Sequence, residues 1–178
     1  MKGLGYSALS YAPLFIDKEV IVIGGGELAL RSAGELSTVA KQVTMVCSSG
    51  EGAESPLGQK LLASSNVKIM KDCEVLEVQG DDYARKLIVK DASGNRIEYT
   101  ADGMFVEKSL IPNTDMVKDL VKLDDNGHII VDCACRTNVP GIFAAGDVTT
   151  IDGEQVLIAV GEGAKAALSA YEYLLPQL

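Results

Sequence analysis

Positive charge is scarce in this 178-residue chain: sixteen lysines and arginines stand against twenty-five aspartates and glutamates, a formal net charge of -9. The cations form no cluster, so a phosphate backbone or an anionic lipid surface would be repelled, and neither nucleic acid nor a membrane is an expected partner. Cysteine is scarce too. Four cysteines are too few for a disulfide scaffold, and without paired Cys-x-x-Cys spacing or a His-rich tract they outline no zinc site. A reducing, cytoplasmic setting fits that usage. Long hydrophobic runs are missing, since the apolar stretches are strand-length and well short of the roughly 18 residues a spanning helix needs. The first residues, one lysine followed by Gly, Ser, Tyr and Pro, do not read as a signal peptide.

What is present suffices for a core: 47% of residues are hydrophobic and 23% charged, which excludes a disordered acidic tail. The length allows one ordinary domain, or one domain and part of another. Residues 1–15 have no helical or alternating period and read as a linker. Glu19 to Ile23 is a short β-branched run of the kind buried on both faces, ending abruptly in Gly24-Gly25-Gly26. From Glu27 to about Ala40, Leu28, Ala29, Ala33 and Leu36 recur at helical spacing, and Gln42 to Cys47 reads as a second strand, completing a βαβ unit.

Pro56 to Ser64 predicts a short helix opened by Pro56, and Val67 to Met70 a third strand. Glu74 to Val78, Lys86 to Lys90 and Arg96 to Tyr99 alternate and are split by turn residues, predicting an antiparallel meander. Gly103 to Val106 is a further buried strand. Beyond the Pro112-Asn113 turn, His128 to Val131 and Gly141 to Ala145 read as strands. A final helix over 156–175 places Ile158, Ala159, Gly163, Ala167, Ala170 and Leu174 on one small-residue face.

The chemistry concentrates where the first strand meets the first helix. Gly24-Gly25-Gly26-Glu27-Leu28-Ala29 matches GxGxxG/A at Gly24, Gly26 and Ala29. A missing Cβ at Gly24 allows the turn, Gly26 lets a pyrophosphate approach the backbone, and Ala29 lets helix and strand pack closely. The helix N-terminus adds free amides and a partial positive charge. A structural turn is the plainer alternative. Nucleotide preference depends on the end of the second strand, here Cys47-Ser48-Ser49-Gly50-Glu51. No arginine follows, which favours NAD(H) over NADP(H), and Glu51 is either a ribose contact or a solvated loop residue.

With those residues in view the chain resembles the thioredoxin reductase-like, class II pyridine nucleotide-disulfide oxidoreductases. Residues 16–46 look like their NAD(P)H domain, Val106 with Pro112-Asn113-Thr114 like their return crossing, and Arg136 to Asp147 like their second FAD motif. The resemblance implies a flavoprotein, a homodimer in its full-length form, whose FAD domain is split around an inserted nicotinamide domain. It implies that Gly146 and Asp147 meet the flavin ribityl and pyrophosphate, and that the backbone at Gln155 and Val156 meets the isoalloxazine edge.

Three departures narrow what the resemblance implies. The redox Cys-x-x-Cys position is held by Ser7-Ala8-Leu9-Ser10, and a hydroxyl forms neither a disulfide nor a low-pKa thiolate. The arginine-rich 2'-phosphate motif is absent. The N-terminal half of the FAD domain is missing, so a preceding segment or a partner chain is expected to supply it. Other reactive groups have plain readings. Cys133-Ala134-Cys135 lies on or after a strand, with both side chains on one face, as packing residues. Cys47 is reactive only if exposed, Cys73 offers nothing, and His128 is a solvated strand residue without a carboxylate partner.

The expected fold is α/β: a Rossmann-like three-layer nucleotide-binding domain with an antiparallel meander over residues 16–107, followed over 108–178 by the C-terminal part of an FAD domain. The expected function is hydride passage from NAD(H) to FAD, with no acid-base residue and no dithiol, to an acceptor such as a ferredoxin, a quinone or oxygen. The alternative is a non-catalytic nucleotide-binding or scaffold homologue.

Overall fold

A computed structural model gives the fold and describes residues 2–49, 52, 54–108 and 111–177. The chain divides into two compact units, Met1–Ser109 and Leu110–Leu178. Five parallel strands form the centre of the first: β1 (Leu4–Gly5), β2 (Glu19–Ile23), β3 (Gln42–Val46), β4 (Val67–Met70) and, after three intervening strands, β8 (Gly103–Val106). Their order is β1-β8-β2-β3-β4. The path runs outward from β2 through α2 (Glu27–Ser37) to β3 and through α3 (Pro56–Leu62) to β4, then returns to the far side of β2 as β8. A strand order that reverses in this way opens a crevice at the carboxyl ends of β2 and β8.

Alternation along the strands separates two cores. Val20, Val22, Val43, Met45 and Phe105 point to one face and pack with Ala29, Leu30, Ala33, Leu36 and Leu61 from the helices. Ile21, Ile23, Val46 and Met104 point to the other, against Leu87 and Val89. Those last residues belong to the antiparallel meander β5 (Glu74–Gly80), β6 (Ala84–Lys90) and β7 (Arg96–Thr100). The layers are therefore helices, parallel sheet and meander. Burying a side chain the size of Phe105 removes enough apolar area to contribute about 2–3 kcal/mol.

The N-terminal segment differs from the linker reading. Leu4 and Gly5 pair with Met104 and Phe105, and α1 (Ala8–Tyr11) with the 3-10 turn Ala12–Phe15 buries Ala8 and Ala12 in the helix-side core. Two alanines four apart make a face too small to register as periodicity, yet it packs closely. Helix α3 begins at Pro56 with Ser55 as N-cap, its Oγ accepting from the Gly58 amide at 3.1 Å.

In the second unit the two expected strands reduce to isolated bridges. Ile129 bridges Leu123 and Thr149, and Phe143 bridges Arg136. An apolar run becomes a strand only where a neighbour offers a ladder, and these runs find single partners. Helix α4 (Val156–Leu174) buries Glu162 and Ser169 rather than the expected face, on which Gly163 and Ala167 are exposed.

Candidate functional site

Three glycines turn the chain from β2 into α2, for separate reasons. Gly24 has φ +151°, and a Cβ there would lie 2.0 Å from the Glu107 carbonyl oxygen. At Gly25 it would lie 2.9 Å from the Cys47 Cβ and the Ser49 carbonyl oxygen. Packing demands both. Gly26 is extended (φ -81°, ψ -171°), and a Cβ on it would meet nothing within 4 Å. The fold leaves that space open, and any residue would adopt this backbone. Ala29 is fully buried beneath the turn, its Cβ 3.0 Å from the place a Gly24 Cβ would take.

Helix α2 starts at this turn with no side-chain cap, and its first bond back to the turn is Leu30 N–H to the Gly26 carbonyl at 3.1 Å. The amides of Glu27, Leu28 and Ala29 have no carbonyl partner among the described residues. Glu27 places a carboxylate beside them, but Arg31 one turn on donates to it at 2.6 Å and offsets its charge. The turn borders a cleft of about 470 Å³, lined on one side by Cys47, Ser48 and Ser49 and on the other by Glu107 and Lys108. The cleft therefore sits at the switch point. Lys108 is its one cationic lining residue among the described residues.

The structure thus brings Gly24, Gly25, Gly26, Glu27, Leu28, Cys47 and Ser48 to one cleft, with Ala29 below it. Glu51 lies outside the described residues. Cys47 is buried: its thiol donates to the Met70 carbonyl at 3.4 Å, and burial pushes its pKa up. Cys73, expected to offer nothing, joins it on the cleft wall, its amide bonded to the Cys47 carbonyl at 3.0 Å. Glu74, Val75, Glu107 and Lys108 were not expected there. For the last two a signal existed, because they directly follow the return strand Gly103–Val106 and had to emerge at the same sheet edge.

Ser7 and Ser10 face each other with hydroxyl oxygens 3.2 Å apart, Ser7 in the left-handed region at φ 60°. In the second unit Gly146 packs against α4: its amide donates to the Glu162 carboxylate at 2.8 Å, and a Cβ on it would lie 3.4 Å from that of Ala159. Asp147 is exposed. Gln155 caps α4 in extended conformation without a side-chain bond, and Val156 is 79% exposed, so the helix N-terminus is open.

Cys133 and Cys135 do not share a face: Cys133 is exposed and Cys135 fully buried, because Cys135 takes φ 61° in a turn rather than continuing a strand. His128 does have a carboxylate partner, Asp124, at 3.3 Å from its Nδ1, in the Asp124 turn whose Oδ1 also accepts the Asn126 and His128 amides.

The class these features define is a three-layer α/β protein with a glycine turn opening a helix at the switch point of a parallel sheet. The pyridine nucleotide-disulphide oxidoreductase family matches over residues 6–164, and the chain belongs to that family. It is 40% identical over 176 residues to the alkyl hydroperoxide reductase F protein of Staphylococcus aureus (strain MSSA476), covering 98% of this chain and 35% of the relative. It is 41% identical over 177 residues to the corresponding protein of Xanthomonas campestris pv. phaseoli, covering 98% and 33%. Thioredoxin reductase from Streptococcus pyogenes MGAS5005 superposes with a TM-score of 0.86 at 36% identity, over 97% of this chain and 57% of that one. The chain spans about a third of the length of these curated relatives. The resemblance to thioredoxin reductases and the α/β fold expected from it are borne out.

Proposed function

We propose that the first unit binds a nicotinamide dinucleotide at the Gly24–Gly26 turn, as the hydride-donating end of an FAD-dependent oxidoreductase. Gly26 carries this reading: its glycine meets no requirement of the fold, whereas a diphosphate resting on the turn needs that space. The unpartnered amides of Glu27, Leu28 and Ala29 supply donors and the positive helix end. Cys47, Ser48 and Ser49 line the adenosine side, where no cation among the described residues awaits a 2'-phosphate, so NADH is preferred to NADPH.

The flavin is assigned to the second unit, where Gly146, Asp147 and the open N-terminus of α4 at Gln155 and Val156 offer backbone donors beside exposed apolar surface. Polypeptide outside these two units completes its surroundings. When bound, the nicotinamide supplies the hydride and the flavin accepts it. Ser7 and Ser10 hold a hydroxyl pair where a dithiol would stand, so electrons leave by another route, to an acceptor such as a ferredoxin, a quinone or oxygen. That same pair favours, as a second reading, a nucleotide-binding homologue without turnover.

Calorimetric titration with NADH and NADPH tests the first reading. Gly26→Ala should fold with a stability change within about 1 kcal/mol and weaken NADH at least tenfold. Gly24→Ala should lose the folded first unit outright, because its Cβ has no space and its backbone angle is strained. Unchanged NADH affinity in Gly26→Ala would sink the proposal. Flavin absorbance in the native assembly that bleaches with NADH separates an enzyme from the silent homologue.

A further inference from the structure

Glu107 is a buried carboxyl group on the wall of the cleft. It is 3% exposed and follows β8 directly, with its amide donating to the Ile23 carbonyl at 2.8 Å. That bond fixes its backbone against β2, and the Glu107 carbonyl oxygen fills the place denied to a Gly24 Cβ. Its Oε1 accepts the Ala8 amide at 3.1 Å. Its Oε2 has no partner among the described residues. No fully buried side-chain oxygen there is left unsatisfied, so Oε2 is not sealed in, and Glu107 is one of the residues that line the cleft.

A carboxyl oxygen that no protein group donates to takes its hydrogen bond from water or from a ligand. The sheet order says which part of a ligand would. In a switch-point crevice the two halves of a dinucleotide lie on opposite sides of the glycine turn. The adenosine half belongs toward β3, at Cys47 to Ser49, which leaves the nicotinamide riboside half toward β8. A carboxyl oxygen repels phosphate and accepts from hydroxyls and amides. Resting on the dinucleotide reading above, we propose that Glu107 Oε2 accepts a hydrogen bond from the nicotinamide riboside half of the bound dinucleotide, through a ribose hydroxyl or the carboxamide NH2. The contact orients that half while leaving the diphosphate to the α2 amides.

Titration calorimetry of the chain and of Glu107→Gln with NADH, ADP-ribose and ADP tests this. Glutamine keeps an oxygen for the Ala8 amide but turns the second acceptor into a donor. NADH should weaken about tenfold, with ADP unchanged. Loss with ADP-ribose as well identifies the ribose hydroxyl; loss with NADH alone identifies the carboxamide. Unchanged NADH affinity, or equal losses of NADH and ADP, would overturn the assignment, since the carboxyl would then be idle or merely shape the turn. ADP binding also reports that the variant is folded. If the unaltered chain bound neither NADH nor ADP, the dinucleotide reading itself would fall, a distinguishable result.

Discussion

Helices α2 and α4 draw on a similar stock of small and aliphatic residues and use it in opposite ways. In α2, Ala29, Leu30, Ala33 and Leu36 are buried against the parallel sheet. In α4, Val156, Leu157, Val160 and Leu168 are 64–85% exposed, and the buried positions are Glu162 and Ser169. Those two are inside because each holds backbone: Glu162 accepts the Gly146 amide, and Ser169 donates to the Ala134 carbonyl at 2.7 Å. Where a sheet ladder already satisfies the main chain, a helix can bury hydrocarbon. Where its neighbours are loops joined by single bridges, a helix supplies hydrogen-bond partners first.

Truncation at matched leucines should separate the two regimes most widely. Leu36→Ala, at a fully buried position, should cost about 2–5 kcal/mol through lost transfer energy and a cavity. Leu157→Ala, at 85% exposure, should fall within about 0.5 kcal/mol in the same denaturant titration. Comparable losses at the two would mean that α4 is covered in solution and would break the contrast.

A smaller effect is expected where α4 does bury a side chain. Glu162→Ala leaves the Gly146 amide without its acceptor and should cost about 1–3 kcal/mol, although alanine suits a helix interior. Glu162→Gln retains an acceptor oxygen and should recover most of that loss. If both variants melt with the parent protein, the polar contact is not what fixes Gly146 to the helix.

The two regions were unequally legible in sequence for the same reason. Glu19 to Ile23 and Gly103 to Val106 read as strands with the bounds the structure gives them, because a run buried on both faces is apolar along nearly its whole length; Val67 to Met70, an edge strand with an exposed Lys68, is marked by its β-branched and aliphatic residues instead. The glycine turn was legible as a string, but the division of labour within it was not. Only the folded arrangement reveals that the Glu107 carbonyl lies over Gly24 while nothing lies over Gly26. In the second unit, apolar spacing suggested a packing face through Gly163 and Ala167, and the choice fell instead to Glu162, whose partner lies sixteen residues away. Hydrophobic periodicity carries no record of such a bond.

Cysteine chemistry gives the smallest effect and sharpens the contrast locally. Cys47 and Cys73 sit in the first unit and Cys135 in the second, all buried, and burial raises each thiol pKa. Cys133, two residues from Cys135, is exposed. At pH 8 an alkylating reagent followed by mass spectrometry should therefore add one label to the native chain, at Cys133, and four after denaturation. The same shifts fix a sign for stability. A thiol whose pKa is higher folded than unfolded favours the fold in its neutral form, so the contribution is complete below the ordinary thiol pKa and is lost as pH rises through the folded values. Melting temperature should decline on the alkaline side, and replacing Cys135 by Ala should flatten part of that decline while leaving the single label at Cys133 at pH 8 unchanged. Labelling of Cys135 as fast as Cys133 in the native chain would show that the turn holding φ 61° opens readily, and that α4 shields its neighbours less than its hydrogen bonds indicate.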